Sequence, residues 1–186
     1  MTRSNVSIAR TAASLVTIAM LAMAALTAGP LVRQAHAATY ASAHLSTFDA
    51  RLVAHINKAR AARGLSRLIA TAGTTDVAHG WSCHMASQVV LAHNSKLAGQ
   101  LETHGSALWR SYAENVGYQG DGASADRLFK AYMNSPEHRA NILDRSARFI
   151  GVWSKRSSGF RFNTIDFVGA SSSAYNNAYG APRRSC

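Results

Sequence analysis

One ten-residue segment of the chain combines the residue types of a chemical site. It runs from Asn134 to Leu143 and has the sequence NSPEHRANIL. Serine before proline is typical of a helix start, with Ser135 as the N-cap and Pro136 as the first helical residue. His138 then lies near the third helical position, where unpaired N–H groups and the helix dipole disfavour a charged imidazole. A neutral imidazole binds metals and accepts protons, and Glu137 beside it is placed to cap the same helix end. Taken alone, a histidine at such a position is more often structural.

The two cysteines, Cys83 and Cys186, are the other side chains with reactive chemistry. In an oxidising compartment a single pair favours one disulfide. That bridge would close a loop of 103 residues, which is worth about 4–5 kcal/mol in chain entropy. The alternative is a buried thiol at Cys83 and a reactive thiol at Cys186.

Residues 1–37 have the three zones of a secretory signal peptide. Arg3 and Arg10 form a positive start, and an apolar stretch follows over about residues 12–28. An Ala-His-Ala motif ending at Ala37 supplies the small residues that a signal peptidase recognises. The alternative is a retained anchor, but the apolar stretch barely reaches the roughly 20 residues that span a bilayer. We therefore expect cleavage, secretion and no stable membrane span afterwards.

The charge of the mature chain limits its partners. Removing 37 of the 186 residues leaves 149, the size of one domain, and takes away three arginines. The remaining 17 basic and 9 acidic residues give a net charge of +8. Such a charge suits an anionic cell-envelope polymer or lipid head group, although an ordinary solvated surface is the plainer interpretation. The basic residues are scattered, with doublets only at Lys155-Arg156 and Arg183-Arg184, so nucleic-acid binding is not expected.

Apolar residues at helical spacing predict a first helix from Phe48, with Thr47 as its N-cap and Gly64 just past its end. A second helix is predicted to begin at Thr74 or Thr75.

The second half of the mature chain predicts a change from helices to strands. Residues 94–123 are glycine-containing and have the least regular pattern, and Ser124 is placed to cap a third helix. From Phe149 to Val168 two apolar runs flank a turn at residues 155–159, which indicates a hairpin. Helices first and strands last predict an α+β domain.

The segment NSPEHRANIL also resembles the signature of bacterial CAP-superfamily domains, the relatives of cysteine-rich secretory proteins, antigen 5 and pathogenesis-related proteins, also called SCP domains. Other family-like pieces follow in the expected order. They are HINKARAARGL from His55, WSCHMA from Trp81, LAH ending at His93, AENV from Ala113 and IGV from Ile150. The resemblance covers residues 48–169, which leaves residues 38–47 as a short N-terminal tail and 170–186 as a polar C-terminal tail.

The resemblance implies an α-β-α sandwich, with a small antiparallel sheet between helical layers. It also implies a shallow cleft, whose histidines and glutamate match His93, Glu114 and His138. Two imidazoles and a carboxylate are a suitable set for a divalent ion such as zinc, with a position left for water. Ser135 and Glu137 are further candidates for the lining of the cleft.

The chain departs from the family pattern in three places. Ala113 stands where a glycine usually precedes the glutamate, and Ser135 falls near the second cleft glutamate of eukaryotic members. The late strand that carries a histidine in those members resembles residues 161–164 here, which contain none. His138 therefore corresponds to the bacterial signature alone.

The resemblance implies a secreted binding module for a divalent metal and a small ligand, lipid or cell-envelope component. The alternative is a hydrolase, with His93 or His138 as base, Glu114 as the orienting carboxylate, and water or Ser135 as nucleophile. The chain has no nucleophile elbow and no H-E-x-x-H pair, so catalysis is left open and binding is preferred. A structural role as a basic wall protein rests on charge alone.

Overall fold

A computed structural model describes residues 45–105, 109–170 and 186. In chain order the elements are α1 (Thr47–Ala61), β1 (Ile69–Ala70), α2 (Ala72–Gln88), α3 (Leu97–Gly105), β2 (Trp109–Gly120), α4 (Ala125–Asn134), α5 (Pro136–Ile142), β3 (Phe149–Ser157) and β4 (Phe160–Ala170). The predicted signal peptide lies outside the described residues, as does most of both predicted tails. Within the described ranges no helix is long and apolar enough to cross a membrane.

The four strands form one sheet in the order β1-β3-β4-β2. Strands β3 and β4 form the predicted hairpin, and β4 also pairs antiparallel with β2, which is an edge strand. Strand β1 contributes a two-residue parallel pairing with β3, so the sheet is antiparallel apart from this short addition. The hairpin turns at Ser158 and Gly159, whose φ angles of 52° and 77° are left-handed and easiest for glycine.

Helices cover both faces of the sheet. Side chains alternate along each strand, so each face carries apolar residues that a helical layer buries. On one face, here the α1 face, helices α1, α4 and α5 pack against Ile150, Val152, Ile165 and Phe167. On the other, the α2 face, α2 and α3 pack against strand residues that include Phe149, Phe162 and Val168. The expected α-β-α sandwich is confirmed.

Local capping signals set three of the helix starts. The Ser124 and Ser135 side chains cap α4 and α5 as predicted, and Pro136 is the first residue of α5. Helix α1 is capped by Ser46 rather than Thr47, since the Ser46 hydroxyl accepts the Asp49 N–H at 3.1 Å.

Helix α2 begins earlier than predicted. Its N-cap is Thr71, whose hydroxyl accepts the Thr74 N–H at 3.4 Å, and the first helical residue is Ala72. Thr74 and Thr75 are fully buried against the sheet, so they are packing residues rather than caps.

The expectation of an irregular region over residues 94–123 is wrong. This region contains α3 and the whole of the 12-residue strand β2. Strand β2 is defined by its long ladder with β4, a pairing between distant segments that local periodicity does not reveal. Its Gly117 leaves room for the Tyr132 hydroxyl, which a Cβ at this position would approach to 2.7 Å.

The predicted disulfide is present. Cys83 on α2 is bonded to Cys186, with their Cα atoms 5.9 Å apart, so the alternative of two thiols is wrong for this structure. The bridge ties residue 186 to the α2 face of the sheet.

Candidate functional site

A histidine and a buried glutamate meet beside the edge strand β2. Glu114 lies on β2 with its side chain 5% exposed, whereas the His93 side chain, in the segment after α2, is 66% exposed. His93 Nδ1 is 2.7 Å from Glu114 Oε1, and the Asn94 backbone N–H donates to the same oxygen at 2.9 Å. With Nδ1 held by the carboxylate, Nε2 is the ring atom available to a ligand.

Burial governs the electrostatics of Glu114. It raises the pKa of this carboxyl, while the hydrogen bonds from Asn94 and His93 oppose the rise. The second oxygen, Oε2, is buried and has no hydrogen-bond partner among the described residues. Unpaired buried oxygens of this kind are uncommon and call for a structural or functional reason.

His138 lies at the third position of α5, as predicted, and is half-buried. Its ring meets the Tyr132 ring edge to face, with centroids 5.0 Å apart. Burial is the main cause that lowers the pKa of His138, the charge of His93 lowers it further, and Glu137 opposes both. The neutral imidazole is therefore favoured, as expected, but burial rather than the helix end is the leading cause.

Two asparagines attach α5 to the edge strand. Asn115 Nδ2 donates to the His138 carbonyl at 3.0 Å, and Asn141 Nδ2 donates to Asn115 Oδ1 at 2.9 Å and to the Glu114 carbonyl at 3.3 Å. Neighbouring strand residues point to opposite faces, so Glu114 supports His93 from one face while Asn115 fixes the helix of His138 on the other.

The structure brings only part of the expected set into direct contact. An open cavity of about 230 Å³ is lined by His93, Asn94, Ser95, Leu97, Ala98, Tyr112, Ala113 and Glu114. The other three expected residues are absent from this lining. The Ser135 hydroxyl caps α5, and Glu137 is exposed. His138 is near enough to His93 for the charge of His93 to lower its pKa.

A different group of residues brings three ligand atoms close together. Among the described residues, His79, Cys83 and Cys186 place one ligand atom each within 4.8 Å of one another. The ligand atoms of His93, Glu114 and His138 are not all within 4.8 Å of one another.

The sequence profile of the cysteine-rich secretory protein family, abbreviated CAP, matches residues 53–169. The chain belongs to the CAP family. No curated protein matches it.

Solved structures share the CAP fold at low sequence identity. An outer surface protein from Borrelia burgdorferi aligns with a TM-score of 0.57 and 15% identity over 64% of this chain and 90% of its own. An extracellular protein with an SCP domain from Bacillus anthracis aligns with a TM-score of 0.57 and 23% identity. A cysteine-rich secretory protein from Staphylococcus aureus aligns with a TM-score of 0.53 and 22% identity. Each of the latter two aligns over 64% of this chain, but over only 39% and 37% of its own length.

A buried carboxyl behind the CAP cleft was not predicted. Asp166 on β4 is the direct cross-strand partner of Glu114, is fully buried, and has no hydrogen-bond partner for either oxygen among the described residues. Burial raises the pKa of Asp166 well above its usual range, and the charge of Glu114 raises it further. Only the strand register reveals this pair.

The cleft includes two more residues that the sequence did not single out. The Asn94 backbone donates to Glu114, and the 45% exposed ring of Tyr112 lines the cavity. Asn94 follows His93 directly, whereas Tyr112 stands two residues before Glu114 and so lies on the same strand face.

Proposed function

We propose that the chain is a secreted CAP binding module, whose cleft takes a divalent metal ion together with a small ligand, lipid or cell-envelope component. The observation that carries the proposal is the 2.7 Å contact between His93 Nδ1 and Glu114 Oε1. Metal-binding histidines commonly donate their second ring nitrogen to a carboxylate, which fixes the tautomer and strengthens the ligand. This contact is of that kind.

The residues present fit a zinc ion, but Glu114 would act mainly by orienting His93 rather than as one of three equal ligands. His93 Nε2 and the neutral ring of His138 would supply nitrogen ligands. Glu114 would orient His93 through Oε1, and its unpaired Oε2 would be a further oxygen ligand. Bound zinc would supply Lewis acidity and polarise a water or a ligand oxygen. His138 would have to approach the cleft, because the three ligand atoms are not within 4.8 Å of one another.

The lining of the cavity supports a small amphipathic ligand. Leu97, Ala98 and Tyr112 are the less polar residues of a lining that also contains the His93–Glu114 pair. A basic chain with a net charge of +11 before any cleavage attracts anionic head groups and polymers. We therefore propose a lipid or an anionic cell-envelope fragment as the ligand.

Calorimetry of the chain starting at Ala38 tests the metal proposal. We expect zinc binding that is lost in His93→Ala and His138→Ala and weakened about 10–100-fold in Glu114→Gln, as for other residues that orient ligands. The matched control is His84→Ala, because His84 is exposed and stacks on Trp81 outside the cavity. Absence of metal-dependent heat, or heat unchanged in both histidine variants, would contradict the proposal.

Secretion is proposed from the predicted signal peptide, and intact mass tests it. The product recovered from the medium should start near Ala38 and weigh two protons less than the reduced chain, because of the Cys83–Cys186 bond. A full-length chain in the membrane fraction would contradict secretion.

The His93–Glu114 pair also supports hydrolysis as a second candidate. A carboxylate that holds Nδ1 prepares Nε2 to act as a general base. Water is the nucleophile that this arrangement favours, because the Ser135 hydroxyl caps α5 and lies outside the cavity lining. Turnover of an ester or peptide library that disappears in Glu114→Gln, with an unchanged circular dichroism spectrum, would favour this candidate over binding alone.

A further inference from the structure

A second cluster of ligand atoms lies beside the middle of α2, around the disulfide. His79 and Cys83 are four residues apart on α2, which places them on one side of the helix. Cys186 Sγ is 3.8 Å from His79 Nε2. One atom from each of the three residues lies within 4.8 Å of the other two.

The histidine of this cluster is held in place. His79 is 4% exposed, and its ring meets the Trp153 ring edge to face with centroids 4.5 Å apart. A buried ring against an aromatic neighbour has few alternative orientations, so Nε2 keeps its direction toward the sulfur atoms.

The disulfide borders an open cavity. Cys186 is exposed and Cys83 partly so, and a cavity of about 360 Å³ opens beside them, with polar walls that include Gln100 and His104. A small thiol reagent or a metal ion can therefore reach the bridge.

A second contact holds Cys186 near this position. Lys155 Nζ on β3 donates to the Cys186 carbonyl at 3.3 Å. This hydrogen bond does not involve sulfur, so opening the disulfide does not itself break it.

We propose that reduction of the Cys83–Cys186 disulfide converts this corner into a zinc site, with His79 Nε2 and the two cysteine sulfurs as ligands. Two thiolates and an imidazole form a ligand set that zinc binds tetrahedrally, with water in the fourth position. In the oxidised chain the sulfurs are bonded to each other, and the site is closed to metal.

The chemistry requires a dithiol reductant. One of its thiolates attacks a bridge sulfur and the S–S bond breaks; the second thiolate then completes the exchange. Two electrons pass to the chain, which gains two thiols, while the reductant becomes a disulfide. Zinc binding then releases the two thiol protons, since the thiolate is the form that binds metal.

The test compares oxidised and reduced chains starting at Ala38 and carrying His93→Ala, the variant in which we expect zinc binding at the cleft to be lost. The protein is reduced by a dithiol, desalted without oxygen and titrated with zinc against a chromogenic chelator. The oxidised chain, titrated in the same way, measures any zinc that His138 and Glu114 still bind. We expect the reduced chain to bind one more equivalent of zinc than the oxidised chain. Adding His79→Ala should lower that affinity at least tenfold, whereas adding His84→Ala, a matched exposed histidine on the same helix, should not.

Cobalt substitution supplies a direct readout of the ligands. The reduced chain should show a thiolate-to-cobalt charge-transfer band and tetrahedral d–d bands, both lost in Cys83→Ser. Equal zinc uptake by the oxidised and reduced chains would overturn the proposal. Uptake by the reduced chain that His79→Ala leaves unchanged would also overturn it, because an unfolded dithiol chain binds zinc without this histidine.

Discussion

The two faces of the sheet differ in how far their buried charged groups are hydrogen-bonded. On the α1 face a single large apolar cluster adjoins buried charged groups that are hydrogen-bonded, although Arg161 Nε has no partner among the described residues. The buried Arg60 guanidinium, for example, donates to four backbone carbonyls, those of Ser66, Ile142, Asp144 and Ala147. On the α2 face two small apolar clusters are separated by polar side chains. The unpaired buried carboxylate oxygens of the described residues, those of Glu114 and Asp166, are all on this face.

This difference separates stability from most of the candidate chemistry, and His138 on α5 is the exception. Paired polar groups within a large apolar cluster stabilise one conformation, whereas unpaired buried oxygens cost free energy that the rest of the fold must supply. His93, Glu114, His79 and the disulfide are all associated with the α2 face. The α1 face supplies the stability that holds them in position.

The largest expected effect is on the α1 face. Phe167 is 1% exposed within the large cluster, so Phe167→Ala should lower the free energy of unfolding by about 3–5 kcal/mol, through lost burial and a cavity. Urea denaturation measures this loss. Phe160→Ala is the control: Phe160 is 39% exposed, and the expected loss is about 1 kcal/mol or less. Equal losses would contradict the assignment of the core to the α1 face.

The next largest effect tests the close approach of α2 to the sheet. A Cβ on Gly151 of β3 would collide with the Thr74 carbonyl group and approach Thr75 N to 2.6 Å. Gly151→Ala should therefore destabilise the fold by about 1–3 kcal/mol, because backbone must move. Gly80→Ala, on the exposed side of α2 with nothing within 4 Å, should instead stabilise by about 0.5–1 kcal/mol. A Gly151→Ala protein as stable as the wild type would show that α2 is not tightly packed there.

A pH dependence tests the buried carboxyl of the α2 face. Burial raises the pKa of Asp166 in the folded chain, so the folded state holds more protons than the unfolded state above about pH 4. The contribution of Asp166 to the free energy of unfolding is complete below the pKa of this residue in the unfolded chain. It is lost as the pH rises toward the pKa in the folded chain, by at most about 1.4 kcal/mol per pH unit.

Asp166→Asn should remove this contribution and flatten the dependence of the free energy of unfolding on pH, measured by urea denaturation from pH 4 to 7. The variant should keep part of the slope, because burial also raises the pKa of Glu114, its partner across the strands. Parallel slopes in the variant and the wild type would exclude a raised pKa for Asp166.

The smallest effect concerns a paired polar group on the α2 face. The fully buried Ser82 hydroxyl is 2.9 Å from both the Trp153 carbonyl and Thr164 Oγ1. Ser82→Ala should lower the free energy of unfolding by about 1 kcal/mol, since Asn163 still donates to the carbonyl while the threonine loses its partner. Ser87→Ala, at an exposed position on the same helix, should change it by less than about 0.5 kcal/mol. A larger loss from Ser87→Ala would reverse this ranking.

The features that the sequence predicted correctly depend on neighbours in the chain. The caps Ser124 and Ser135, the start of α5 at Pro136 and the β3–β4 hairpin each follow from a few adjacent residues. The disulfide was predicted because the chain has only two cysteines. The sandwich and the candidate residues His93, Glu114 and His138 came from the family resemblance rather than from local pattern.

The tertiary structure decided which of these residues meet. Strand β2 exists because it pairs with β4 about fifty residues later, and that register alone places Asp166 beside Glu114. The same folding brings Cys186 to His79, across a separation of 107 residues. Local sequence sets backbone preferences over a turn or two, whereas these contacts arise only when distant segments bury their apolar faces together. The sequence by itself therefore determined the helix starts, the hairpin and the choice of disulfide partners, and the packing of distant segments determined both candidate metal sites.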